Sequence, residues 1–215
     1  MKSAIRKMDR AIKQLYNLEH DFKAESFLVS NPMTASTGKG AFYIRADEEE
    51  EVRIGIFLDA QVRNELSDLH RWNPSDWNQP QLGAFTIAAE EVSHFNYFLH
   101  HQLAGRPVSQ LEMETQGEVD KFLLTFLSGF NLMNEKQLLT KFERLLEQFF
   151  ERYRLAEHLD EEQCQRYEEA NRLAQHFLSK YKAQILDLRK WERTLRLLRR
   201  FYRVNLSEKL SLSRK

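Results

Sequence analysis

The chain has 215 residues, 42% of them hydrophobic and 30% charged, with a formal net charge of zero. That composition excludes a disordered polymer and allows one compact domain, or one domain with a helical extension. The single cysteine, Cys164, excludes an internal disulfide and fits a reducing compartment, while 7 glycines and 4 prolines leave little material for turns and favour long helices.

The first twenty residues, MKSAIRKMDRAIKQLYNLEH, lack the apolar core of a secretion signal. Ile5, Met8, Ile12, Leu15 and Phe22 recur near helical spacing and predict a helix over about residues 3–24. A loop, SNPMTASTGKG, follows; its Gly38-Lys39-Gly40 falls short of the phosphate-loop pattern. The segments GAFYIRAD and EVRIGIFLD flank an acidic turn at Asp47–Glu50. In the second, Val52, Ile54, Ile56 and Leu58 alternate with a period of two. This predicts an antiparallel β-hairpin, with a third short strand around SFLVS.

Asp59 is placed to cap a helix reaching about His70, and RWNPSDWNQP reads as a loop. A helix from about Gln81 to Ala104 must end at Gly105-Arg106-Pro107, because proline disfavours helical geometry in the residue before it. Ser109 and Glu112 form a capping box that starts a helix running from near Gln110 to about Phe130. Asn134 with Gln137, and Asp160 with Gln163, mark two further starts, with helix expected to about Val204 and fraying over the last ten residues. The longest apolar run, Phe122 to Met133, is interrupted and too short for the roughly 20 residues that span a bilayer. The expectation is a cytoplasmic, mostly α protein with a small N-terminal antiparallel β-hairpin, a central αα-hairpin and long C-terminal helices. Residues 1–130 would form an α+β core, and residues 131–215 a helical extension packed on it and basic at its end.

The candidate chemistry lies in FTIAAEEVSHFNYFLHH, residues 85–101. Residues three and four apart share a helix face, so Glu90, Glu91 and His94 point to one side, with His100 or His101 extending the stripe. Counting outward from Arg106 at equal rise puts His94 level with Glu118, Glu91 with Lys121, and Phe98 with Glu114. Carboxylates on an apolar stripe are costly unless paired or metal-bound. Glu90, Glu91, His94, Glu114 and Glu118 therefore converge as a candidate metal centre. A metal-free acid–base pair is one alternative; ordinary ion pairing, with Glu91 on Lys121, Glu114 on a nearby cation and His94 a satisfied interior histidine, is another.

The stretch FTIAAEEVSH resembles the motif region of zincin-like metallopeptidases of the ImmA/IrrE type, which carry His-Glu-x-x-His on this helix. The order of an N-terminal helix, a small antiparallel sheet, a helix and then the motif helix is also similar, over about residues 40–120. The resemblance implies hydrolysis of a peptide or amide bond, with Glu90 and His94 on the metal, Glu118 or Glu114 as the third ligand, and Glu91 activating water. Glu90 stands where the family has its first histidine. That harder donor set suits Mn²⁺ or Fe²⁺ at least as well as Zn²⁺, or marks a relative that keeps the scaffold without catalysis. Glu91-Val-Ser-His94 is also the Glu-x-x-His of ferritin-like di-iron proteins, which carry two such motifs where this chain has one.

Nucleophilic catalysis has little support. Cys164 lies in DEEQCQRYEE, whose acids suppress a thiolate, and no serine sits in a glycine-flanked elbow. From Lys180 to Lys215 there are twelve Lys/Arg against three acids. Leu188, Trp191, Leu195, Leu198 and Tyr202 form an apolar stripe, and Arg193, Arg196, Arg200 and Arg203 a basic one beside it. That face fits an anionic partner, whether nucleic acid, acidic protein or lipid surface. It equally fits an internal packing helix whose arginines meet the acids of residues 143–169.

Overall fold

The structure, a computed structural model, describes residues 1–32, 38–46, 52–69, 72–129, 133–152 and 159–214. The acidic turn at Asp47–Glu50, part of the loop before it, and the expected helix ends at His70 and Phe130 lie outside these residues. Ala4, Ile5, Met8, Ile12, Leu15 and Tyr16 line the buried face of α1, Lys2–Tyr16. Asn17 ends the helix in the left-handed conformation, φ 52°, with its N–H on the Lys13 carbonyl. The helix therefore stops well short of residue 24, and Phe22, expected on its stripe, is exposed.

A 3₁₀ turn at Ala24–Ser26 leads into β1, Leu28–Val29; β2 (Gly40–Ala46) and β3 (Val52–Leu58) form the expected hairpin. Its register pairs Phe42 with Ile56 and Ile44 with Ile54, and β1 adds parallel to β3 in the order β1-β3-β2. The Asp59 carboxylate accepts from the Val62 N–H at 2.7 Å and starts α2, Ala60–Ser67. Next comes α3, Gln79–Leu103, opened by a capping box of Asn78 and Gln81. Gly105, at φ 68°, turns the chain, and the Ser109–Glu112 box opens α4, Gln110–Leu127, which returns against α3.

Capping boxes at Asn134 and Asp160 start α5 (Glu135–Leu146, continued by a π-helical turn at Glu147–Glu151) and α6 (Glu161–Lys180). The chain goes on through α7 (Lys182–Leu186), α8 (Trp191–Arg203) and α9 (Leu206–Ser213). Residues 206–213, expected to fray, are helical instead. Asn205 caps α9, and Lys209 on it is fully buried, its ammonium donating to Gln116 Oε1 at 2.9 Å and to the Phe201 carbonyl at 2.7 Å. The chain is mostly α, 72% helical, with a small three-stranded sheet near its N-terminus. A contiguous apolar core runs from Ile5 on α1 through Phe95 and Phe122 on α3 and α4 to Phe177 and Phe201 on α6 and α8. Within it α4 packs against both α3 and α6.

Candidate metal centre

Two glycines set how closely the walls of the site approach. A β-carbon on Gly117 of α4 would stand 2.9 Å from His94 Nε2, so the imidazole lies directly against the backbone of the neighbouring helix. A β-carbon on Gly40, at the start of β2, would stand 2.6 Å from Ile87 Cγ2 and 3.0 Å from Glu91 Oε1. The sheet thus closes over Glu91, and any larger residue at position 40 would push it away.

In this seam His94 Nε2 lies 3.3 Å from Glu114 Oε2, and His94 Nδ1 lies 3.6 Å from Glu91 Oε2. Glu91, His94, Glu114 and Glu118 are each at least nine-tenths buried. Glu91 Oε2, His94 Nε2 and Glu114 Oε2 nevertheless have no hydrogen-bond partner. Leaving such atoms unpaired costs about 1–3 kcal/mol each, and more where they are charged. Glu90, His94 and Glu114 each offer a ligand atom, and these atoms lie within 4.8 Å of one another. Two ligands at roughly 2.0–2.2 Å from a tetrahedral metal stand about 3.3–3.6 Å apart. The His94–Glu114 separation falls in that range and is longer than a charge-assisted hydrogen bond, about 2.7–2.9 Å.

Lys121 defines the other half of the seam. Its ammonium donates to Glu90 Oε2 at 2.9 Å and to Glu118 Oε1 at 2.7 Å. Equal-rise counting placed Glu118 level with His94, and Gly117, its neighbour, is indeed opposite the imidazole. Lys121, three residues further along, draws the Glu118 carboxylate away, and Glu114 takes its place at the histidine. Glu118 therefore lies outside the converging set of Glu90, His94 and Glu114. Lys121 joins Glu90 and Glu118 and leaves Glu91 to the histidine, so the Glu91–Lys121 pairing also fails.

These charges set the protonation states. Burial pushes the Glu91 carboxyl up to about 7 against the pull of His94, which places it where a group can give and take protons near neutrality. Burial disfavours the His94 imidazolium, but Glu114 and Glu91 outweigh it and hold the ring's pKa well above the usual histidine value. Burial raises Glu118, and Lys121 offsets only part of the rise. At Glu90, burial is outweighed by Lys121 and His94, and the carboxyl is held below its usual range. Tyr167 of α6 faces the same group: burial, then Glu114, Glu90 and Glu91, raise its phenol. Sequence reading missed Tyr167, because DEEQCQRYEE reads as an acidic surface and nothing local ties it to Glu90, Glu91 and Glu114, far earlier in the chain.

The histidine stripe does not continue to His101. Its Nε2 lies 3.0 Å from the Tyr202 carbonyl and its Nδ1 accepts from Arg106 Nε at 2.9 Å, which fixes a neutral tautomer with the proton on Nε2. His101 belongs to the packing of α8. On α8 the basic stripe divides. Arg203 donates to the Tyr16 carbonyl at 2.8 Å, and Arg199 to the Leu15 carbonyl at 3.1 Å, so both cap the C-terminus of α1 and neither meets the acids of residues 143–169. Arg193, Arg196 and Arg200 are exposed, and their side chains have no partner among the described residues.

No protein-family model, curated protein or solved structure matches the chain. Among the described residues no helix is long and apolar enough to cross a membrane.

Proposed function

We propose that this chain binds a divalent metal ion, Mn²⁺, Fe²⁺ or Zn²⁺, between α3 and α4. His94 Nε2, Glu114 and Glu90 are its ligands, in a site related in plan to the zincin-like hydrolases of peptide or amide bonds. The observation that carries this reading is the meeting of Glu90, His94 and Glu114, whose ligand atoms lie within 4.8 Å of one another, with the buried His94 Nε2 and Glu114 Oε2 lacking a hydrogen-bond partner. A cation between those two atoms would satisfy both. The metal, when bound, supplies Lewis acidity to water and to a carbonyl oxygen. Glu91, whose carboxyl burial pushes up to about 7 beneath Gly40, would take the proton from the attacking water.

Metal analysis of protein purified without chelator tests the reading. One equivalent in the parent, lost in His94→Ala, is expected; a metal-free parent that also fails to take up Mn²⁺, Fe²⁺ or Zn²⁺ on titration refutes it. Peptide hydrolysis by the loaded protein, lost in Glu91→Gln with the metal retained, separates a working hydrolase from a relative that keeps only the site. A second reading is favoured by the outer face of α8. Arg193, Arg196 and Arg200, unpaired on one face, would contact a nucleic acid or an acidic protein. Replacing all three by Ala would abolish low-salt binding of nucleic acid, and wild-type protein that binds none at low salt removes the nucleic-acid form of this reading.

A further inference from the structure

We infer that the Lys121 ammonium occupies the place of a second cation in this seam, so that Lys121 restricts the cluster to one metal ion. The inference rests on the metal reading above and goes beyond it by fixing the number of ions. Four carboxylates, Glu90, Glu91, Glu114 and Glu118, line one stretch of the α3–α4 interface around a single histidine. They fall into two groups. On one side, Glu91, His94 and Glu114 present the unpartnered atoms. On the other, Lys121 Nζ sits between Glu90 Oε2 at 2.9 Å and Glu118 Oε1 at 2.7 Å, with all three side chains less than one-fifth exposed.

A lysine ammonium clasped by two buried carboxylates does the electrostatic work of a bound cation. It neutralises them, it is held by oxygen atoms alone, and its long stem closes the space against water. Glu90 belongs to both groups, since it bonds Lys121 and also offers a ligand atom within 4.8 Å of those of His94 and Glu114. In a site with two ions about 3.5–4 Å apart, Glu90 would be the bridging carboxylate. Without the ammonium, Glu90 and Glu118 would face each other buried and unpaired, and a second divalent ion is the species that relieves them.

The test compares Mn²⁺ bound per chain in wild type and Lys121→Met, by elemental analysis after gel filtration and by electron paramagnetic resonance, where two neighbouring Mn²⁺ ions give a spin-coupled spectrum. One ion in wild type and two, coupled, in Lys121→Met is expected. One ion in each overturns the inference and leaves the metal reading standing. No ion in wild type but one or more in Lys121→Met overturns the metal reading while supporting the lysine as the resident cation. No ion in either overturns both. Lys121→Met/Glu118→Gln removes one charge of each sign and is expected to return to a single ion; two ions there count against the inference. If Lys121→Met folds only with metal present, recovery of its helical circular dichroism with added Mn²⁺ supports the inference. Failure of both Lys121→Met and Lys121→Ala to fold with Mn²⁺ overturns it.

Discussion

Gly117→Ala tests how His94 is seated, because two effects of similar size oppose each other there. Alanine in a helix interior is favoured over glycine by about 0.8–1.0 kcal/mol. The added methyl would stand 2.9 Å from His94 Nε2, 3.4 Å from Glu90 Cγ and 3.5 Å from His94 Cδ2. Ordinary contact is about 3.5–4.0 Å, so the imidazole must retreat by roughly half an ångström; overpacking of this kind costs about 1–3 kcal/mol. The net effect on stability is a loss of about 0–2 kcal/mol. On the proposed metal reading, affinity for Mn²⁺ has no such compensation, since ligands must be held within about 0.5 Å of their working positions, and it should fall at least tenfold, or ~1.4 kcal/mol. Gly83→Ala on α3 is the control: nothing lies within 4 Å of its added methyl. It should gain about 0.5–1 kcal/mol and leave metal binding unchanged. Urea unfolding and calorimetric titration with Mn²⁺ read both quantities. If Gly117→Ala gains as much stability as Gly83→Ala and binds metal as wild type does, His94 is not held against α4 and the site geometry is wrong.

Two further outcomes follow from polar groups elsewhere in the core. Burial pushes Asp120 up to about 6 from 3.8, so the stability it contributes is complete below pH 3.8 and is lost as pH rises through 6, roughly 3 kcal/mol in all. Lys209 is pulled down to about 7 from 10.5 by burial. The unfolded chain keeps a proton there that the folded chain gives up, so stability should rise from pH 7 towards pH 10. Urea midpoints across pH should show the acid-side fall flattened in Asp120→Asn and the alkaline rise flattened in Lys209→Met; unchanged slopes would show that these groups do not titrate as their burial requires. Arg203→Ala removes the bond to the Tyr16 carbonyl and should cost about 1 kcal/mol in urea unfolding. Arg196→Ala, on the exposed side of the same helix, should change stability by less than about 0.5 kcal/mol, and an equal loss in the two would refute the division of that stripe.

The helix starts were legible because capping is local: Asp59, Ser109, Asn134 and Asp160 each bind a backbone N–H within three residues, and sequence spacing contains that information. The end of α1 was not, because Phe22 happens to fall on the helical period while the stop depends on Asn17 adopting a left-handed conformation that many residue types refuse. Within the site, Glu90, Glu91 and His94 were visible as one helix face. Their partners were visible only to within a turn, since the loop fixes the height of each residue but not which way a glutamate swings when Lys121 competes for it. Gly40, Gly117 and Tyr167 were hidden, because a glycine gives no local sign of what presses against it and the tyrosine arrives from a helix far along the chain. Lys209 was hidden for a related reason: a lysine in a short basic tail reads as solvated until Gln116, Tyr97 and Phe201 are found around it.

The α3–α4 interface holds two buried polar clusters less than two turns apart, and their difference bears on function. Around Asp120 the hydrogen bonding is complete at the carboxylate. Tyr16 and Gln116 donate to Oδ1, Ser93 donates to Oδ2 at 2.5 Å, and Lys209 holds Gln116 in turn. Such a cluster ties α1, α3, α4 and α9 together and needs nothing added. Around His94 the same two helices bring buried ionisable groups together and leave Glu91 Oε2, His94 Nε2 and Glu114 Oε2 without a hydrogen bond, with both carboxylates in ion-pair range of the imidazole. Stability alone gives no reason for that arrangement, since well-packed apolar residues in its place would often be neutral or stabilising. One side of the interface is therefore finished by its own residues, and the other keeps a Glu90–His94–Glu114 group that could hold a metal ion.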